Sequence, residues 1–209
     1  MRKKVLFAFR DVTHWLDDEE RDLRHFSWKL HAGERVHLRC QRPIQYEVLW
    51  RLLQRNLKPK QGVIEEIHPV STSSDQMIAS RVNLNETMKR ALESKLFDDH
   101  LWVGGKRLHV HYMMDLLQIP LSERRLPLRR VTPVARQRFE ALLFMAARVQ
   151  LLLGRQLFTA IDALTLQVFE EWHPYFPGAL IVLGDMPPSL KGFDTSIEVH
   201  ADGKVEIRS

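Results

Sequence analysis

Residues 36–53, VHLRCQRPIQYEVLWRLL, constrain the fold more than any other stretch of the chain. VHL is a short apolar strand, VLWRLL is the start of an amphipathic helix, and the eight residues 40–47 form the turn between them. A strand, a turn of that length and a helix make the frame of a phosphate-binding loop, G-x-x-x-x-G-K-[ST]. The residues that would make the frame bind phosphate are replaced. Cys40 stands at the first glycine, Gln45 at the second, Tyr46 at the lysine and Glu47 at the hydroxyl position. Glycine lets backbone N–H groups approach phosphate without a Cβ in the way, and lysine neutralises the terminal phosphates. Tyrosine supplies no cation, Glu47 would set a carboxylate against phosphate oxygens, and Pro43 removes a donor.

The rest of the chain reads as mixed α/β. Residues 5–12 and 25–30 are strand-like, and HAGE at 31–34 is a turn before the strand that enters the 36–53 unit, so the chain opens with antiparallel strands. Residues 56–67, NLKPKQGVIEEI, are a loop followed by a short strand. Residues 70–80 are rich in Ser and Thr and read as a loop. Helical stretches follow at 85–97 and 109–117, with a glycine turn at Gly104-Gly105 between them. Thr132-Pro133 opens a helix, because threonine caps and proline suits the first helical position. QLLLG is a buried strand, Asp162 opens the next helix, and ALIVLG at 179–184 is fully apolar, as central parallel strands are. Asp202-Gly203 marks a closing hairpin.

Composition narrows the function classes. With 209 residues, 44% hydrophobic and 27% charged, the chain can bury one sizeable core. A single cysteine excludes an internal disulfide, and no Cys/His spacing suits zinc. The apolar run behind MRKK is too short for a signal peptide, and no run approaches a membrane span, so a cytoplasmic protein is expected. The net charge of +5 is compatible with nucleic acid, a membrane surface or neither.

The order of these blocks resembles the ATP-binding subunit of ABC transporters over nearly the whole chain. NLKPKQGVIEE is similar to the family's segment after the phosphate-loop helix, and VNLNETM at 82–88 to the start of its helical subdomain. Residues 113–149 resemble the stretch that ends in the family signature and its helix. QLLLGRQLFTAID at 150–162 falls where the second phosphate-side motif would lie. The resemblance implies an ABC-ATPase-like P-loop fold with N-terminal antiparallel strands, a central mostly parallel sheet and an inserted helical subdomain. The α/β core would take 1–75 and 149–209, and the subdomain 76–148.

The departures fall at the chemistry. Pro133 and Val134 replace the signature glycines after Thr132; Arg155 stands for the Mg²⁺-supporting aspartate and Gln156 for the catalytic glutamate. Asp185 falls near the switch histidine, and Trp15 one position before the adenine-stacking aromatic expected at Leu16. The resemblance therefore implies a pseudo-ATPase without catalytic residues, cofactor or metal. It would dock on a membrane-spanning transporter-type subunit, on the inner face of the membrane, and pair with a second copy or with an active ABC ATPase. Gln76, Thr132 and Asp162 are the candidate interface residues, Gln76 as the glutamine that couples to the membrane subunit and Asp162 as the link between halves of a dimer. Glu47 and Arg155 are expected to form an ion pair where the metal would stand. Two other readings remain: a basic nucleic-acid adapter built on residues 123–138, and an ABC ATPase with an altered but working site.

Overall fold

Alternating apolar residues at 25–30 bury one side-chain face and leave the other exposed, while the backbone edges pair with neighbouring strands. In the computed structural model, which describes residues 4–16, 21–67, 70–155, 161–187 and 190–209, the first strands pair as expected. The chain forms two units: Met1–Thr72 with Pro177–Met186 and Gly192–Ser209, and Ser73–Phe176 with Pro187–Lys191. The sequence division returned to the core at 149; here the second unit keeps the chain until Phe176.

In the first unit, β1 (Val5–His14) pairs antiparallel with both β2 (Leu23–His31) and β4 (Gln61–Glu66). Phe9, Phe26 and Trp28 pack on this sheet with ring centroids 5.1 and 5.7 Å from Phe9. A second set of strands centres on β3 (Arg35–Cys40), which runs parallel to β9 (Ala179–Leu183) on one side and to β10 (Thr195–Val199) on the other. The last strand, β11 (Val205–Arg208), closes the hairpin on β10 across Asp202-Gly203, where Gly203 takes φ +83°. Every residue of β9 is buried, the pattern of a strand covered on both faces. Helix α1 (Pro43–Leu53) turns Val48, Leu49, Leu52 and Leu53 inward and packs against β3.

The second unit is mainly helical. Helix α6 (Pro133–Ala146) buries Phe139, Leu142, Leu143 and Phe144, and α2 (Asp75–Arg81), α4 (Val110–Leu116) and α7 (Ala163–Trp172) pack on it. Two expectations are corrected here, and a third is extended. The Ser/Thr-rich stretch 70–80 is not a loop: β5 (Thr72–Ser74) leads into α2, whose N-cap Ser74 accepts a hydrogen bond from the Met77 N–H at 3.1 Å. The expected helix over 85–97 shrinks to α3 (Met88–Leu92), capped by Thr87. Between them and α4, the glycine turn belongs to a hairpin of β6 (His100–Val103) and β7 (Lys106–His109). Short α5 (Leu121–Arg124) precedes α6, and the buried β8 (Leu151–Gly154) precedes α7 as expected.

His14, at the end of β1, is 1% exposed, and neither ring nitrogen has a hydrogen-bond partner among the described residues. Burial pulls its pKa below 6.5, opposed by Asp22 and assisted by Lys60. Because the unfolded chain then takes up the proton first, stability is full above 6.5 and declines as pH falls below it. Melting temperature is expected to drop from pH 7.5 to 5.5, and to drop less in His14→Phe. Equal slopes for the two proteins would exclude His14 as the cause.

Candidate functional site

The turn after β3 departs from the frame expected of it. Helix α1 begins at Pro43, so only Gln41 and Arg42 separate it from Cys40, and Gln45, Tyr46 and Glu47 lie inside its first turns. The expected start was Val48. Proline presets the backbone angle of a first helical residue and lacks an N–H that would be unsatisfied there anyway. Gln45 completes the early start: its Oε1 accepts the Arg42 N–H at 3.0 Å.

The N–H groups of Gln41 and Arg42 are engaged within the chain. The Gln41 N–H bonds the Val199 carbonyl at 3.0 Å, Arg42 is held by Gln45, and Pro43 has no N–H. Gln45 is 1% exposed, and its amide Nε2 donates to the His200 carbonyl at 2.7 Å. The Gln41 side chain reaches the same hairpin, accepting the Ala201 N–H at 2.9 Å and approaching Glu198 at 3.3 Å. Two glutamine side chains thus tie the turn to the end of β10.

Around them the charges are paired or acidic. The Arg42 guanidinium donates to the Arg21 carbonyl at 3.0 Å and to Asp22 at 3.3 Å, and the Arg21 guanidinium carbon lies 3.6 Å from the centre of the Trp15 ring. Trp15, the candidate aromatic stacker, therefore has a ring face occupied. An open cleft of about 540 Å³ lies beside the turn, lined by Arg39, Cys40, Tyr46, Asp185 and Glu198 among others. Asp185 follows β9 and Gly184 and approaches Arg39 at 3.6 Å, with both side chains largely exposed. Burial raises the Tyr46 phenol, against a hydrogen bond involving the Cys40 backbone, so it stays a neutral hydroxyl at pH 7. Cys40 itself is buried. The cleft thus holds a neutral phenol and two carboxylates, Asp185 and Glu198, beside the Arg39 guanidinium. Among the described residues no cluster of His, Cys, Asp and Glu suits a metal ion.

The remaining candidates lie in the second unit and act within it. Thr132 caps α6, its Oγ1 accepting the Ala135 N–H at 3.4 Å and donating to Glu123 at 2.9 Å. Asp162 caps α7, taking the Thr165 N–H at 3.0 Å, the Thr165 hydroxyl at 3.1 Å and the Arg138 guanidinium at 2.9 Å. Burial alone would raise the Asp162 pKa, but the bonds from Arg138 and Thr165 outweigh it and hold the carboxyl below its usual range. Gln76 is exposed on the first turn of α2. Gln156 lies outside the described residues. The Arg155 N–H bonds Asp75 Oδ2 at 2.9 Å, while Glu47 takes the Arg51 guanidinium at 2.6 Å along its own helix. Glu47 and Arg155 belong to different units.

Sequence reasoning missed Asp75, which ties the end of β8 to α2, and the Gln41–Gln45 clamp. For Asp75 a signal existed: Ser74 followed by an acid is an N-cap pattern. For the clamp there was none, since its partners stand about 150 residues away. Gln45→Ala removes the side-chain acceptor of the Arg42 N–H and leaves the His200 carbonyl with the Gly203 N–H, and is expected to destabilise the fold by about 1 kcal/mol in urea unfolding. A loss below about 0.5 kcal/mol would mean that the clamp contributes nothing.

No protein-family model matches the chain, and neither does any curated protein. Solved structures do. A bacterial Atm1-family ABC exporter with ATP bound matches with a TM-score of 0.65 and 17% identity, over 100% of this chain and 39% of the exporter. A bacterial ABC transporter cassette solved as a dimer matches at 0.65 and 13% identity, over 96% of this chain and 97% of the cassette. An inward-facing ABC transporter, described as of metal-chelate type, matches at 0.66 and 11% identity over 99% of this chain and 84% of its own. The antiparallel strands, the mostly parallel strands around β3 and the helical second unit are, together, the fold of an ABC transporter cassette.

Proposed function

We propose that the chain is a non-catalytic ABC-cassette-like subunit, a component of a transporter-type assembly that neither binds nor hydrolyses nucleotide. The observation that carries this reading is the shortened turn after β3, whose amides bond Gln45 and Val199. Phosphoryl transfer requires a cationic, donor-rich cradle with a metal and a positioned water. Here the lysine position is a neutral phenol, and the Gln41 and Arg42 N–H groups are engaged within the chain. The role left to such a fold is to bind proteins: a membrane-spanning partner, and a second copy or an active ATPase cassette. No helix among the described residues is long and apolar enough to cross a membrane; the membrane-spanning partner would seat the chain on the cytoplasmic face.

The nucleic-acid reading is weaker because the arginines of residues 123–138 are partly engaged. Arg124 pairs with Asp115, Arg136 with Glu140 and Arg138 with Asp162, which leaves Arg125, Arg129 and Arg130 as its exposed cations.

Millimolar Mg-ATP is expected to leave the melting temperature unchanged, and Tyr46→Lys alone should not create a shift, because Gln45 still closes the turn. A clear rise in the wild-type protein would overturn the reading in favour of an altered but working site. In mild detergent the protein is expected to co-purify with a hydrophobic membrane protein. Bulky or charged substitutions at exposed Gln76 should lose that partner without lowering the melting temperature. Retention of the partner by such variants would place the interface elsewhere.

A further inference from the structure

We propose that the β6–β7 hairpin is a membrane-surface anchor that takes the anionic headgroups of a lipid bilayer. Its strands alternate sharply. Leu101 and Val103 are buried against the second unit, and the opposite face carries Trp102, which is 50% exposed. Trp102 is cross-strand partner to Arg107, and Val103 to Lys106. The tip between them is Gly104-Gly105, both at positive φ (55° and 78°), which lets the hairpin turn tightly. Tyr175, 45% exposed, stacks beside Trp102 with ring centroids 6.5 Å apart and planes 27° from parallel. Lys106 and Arg107 are exposed and pair with no carboxylate among the described residues.

Half-exposed aromatic rings next to unpaired cations at the end of a tight hairpin suit one environment well. Tryptophan and tyrosine sit at the headgroup level of bilayers, apolar body inward and N–H or O–H outward, while lysine and arginine meet lipid phosphates. A single-stranded nucleic acid fits less well. It needs a basic groove along several nucleotides and free ring faces for its bases, whereas these two rings cover each other and two cations make a point. The exposed Glu171 beside the hairpin tip also interrupts any longer basic track: its Oε2 lies 3.2 Å from where a Gly104 Cβ would stand. The attachment requires no protein partner, so it stands or falls independently of the assembly role proposed above.

The chain carries its own probe. Of its five tryptophans, Trp28, Trp50 and Trp172 are buried and Trp15 is covered by Arg21, so Trp102 is the exposed one. In sedimentation with protein-free vesicles, binding is expected to be about tenfold tighter with phosphatidylglycerol present than with phosphatidylcholine alone. Acyl-brominated lipid should quench tryptophan emission, and Trp102→Ser should abolish that quenching. Lys106→Glu with Arg107→Glu should reduce binding about tenfold, while Arg129→Glu with Arg130→Glu, which changes net charge equally, should reduce it far less. Lys106→Gln with Arg107→Gln gives the milder test should the reversed pair melt early. Equal losses in the two reversed pairs would reduce the effect to the general basicity of the protein and overturn the proposal. So would quenching that survives Trp102→Ser, or tighter binding of an oligonucleotide through the same residues.

Discussion

A buried glutamine carboxamide holds the centre of the first unit. Gln45 accepts from the Arg42 backbone and donates to the His200 carbonyl, so one side chain starts α1, fixes the turn after β3 and secures the end of β10. Gln45 itself is buried, and a buried amide that loses its partners costs more than a formed bond contributes. That asymmetry explains why so short a turn is well determined: each of its polar groups has one satisfactory arrangement, and Gln45 provides it. Val199 and Cys40 are cross-strand partners, which brings the residues that follow β10 up against the turn.

The same logic places the charges. Asp22 takes the Leu16 N–H and the Arg42 guanidinium, and Arg21 lies on Trp15, so the segment ahead of β2 is drawn onto the turn. At the start of β3, Arg35 is 4% exposed and donates to the Gly178 carbonyl at 2.8 Å. Burial lowers its pKa to about 10, with Asp194 opposing. In the second unit Asp162 and Arg138 do comparable work, joining the start of α7 to α6. In each case a charge is held where burial makes an unpaired one expensive, so these pairs specify geometry more than they add stability.

Function follows from what this packing leaves available. At the ends of β3, β9 and β10 lies a cleft whose lining includes Arg39, Tyr46, Asp185 and Glu198. The surfaces left for recognition are outside it: the exposed first turn of α2 and the aromatic tip of the β6–β7 hairpin.

Much of this was legible in the residues alone. The alternation of residues 25–30, the all-apolar ALIVL of β9, the Thr132-Pro133 start and the Asp202-Gly203 turn each act through a local rule, and each element formed where that rule put it. The loss of every phosphate-loop residue type was equally plain from 40–47. Local rules failed where distant partners decided. Serines 73 and 74 look like loop residues until the Ser74 cap and the Asp75 bond to Arg155 make them the entrance to α2. The eight-residue turn collapsed to two because Gln45 found the His200 carbonyl across the sheet, a partner 155 positions away. Sequence determined the strands and the missing chemistry, since side-chain period and residue type are local properties. Tertiary structure decided what ties the turn to the sheet, since that depends on which distant polar groups meet.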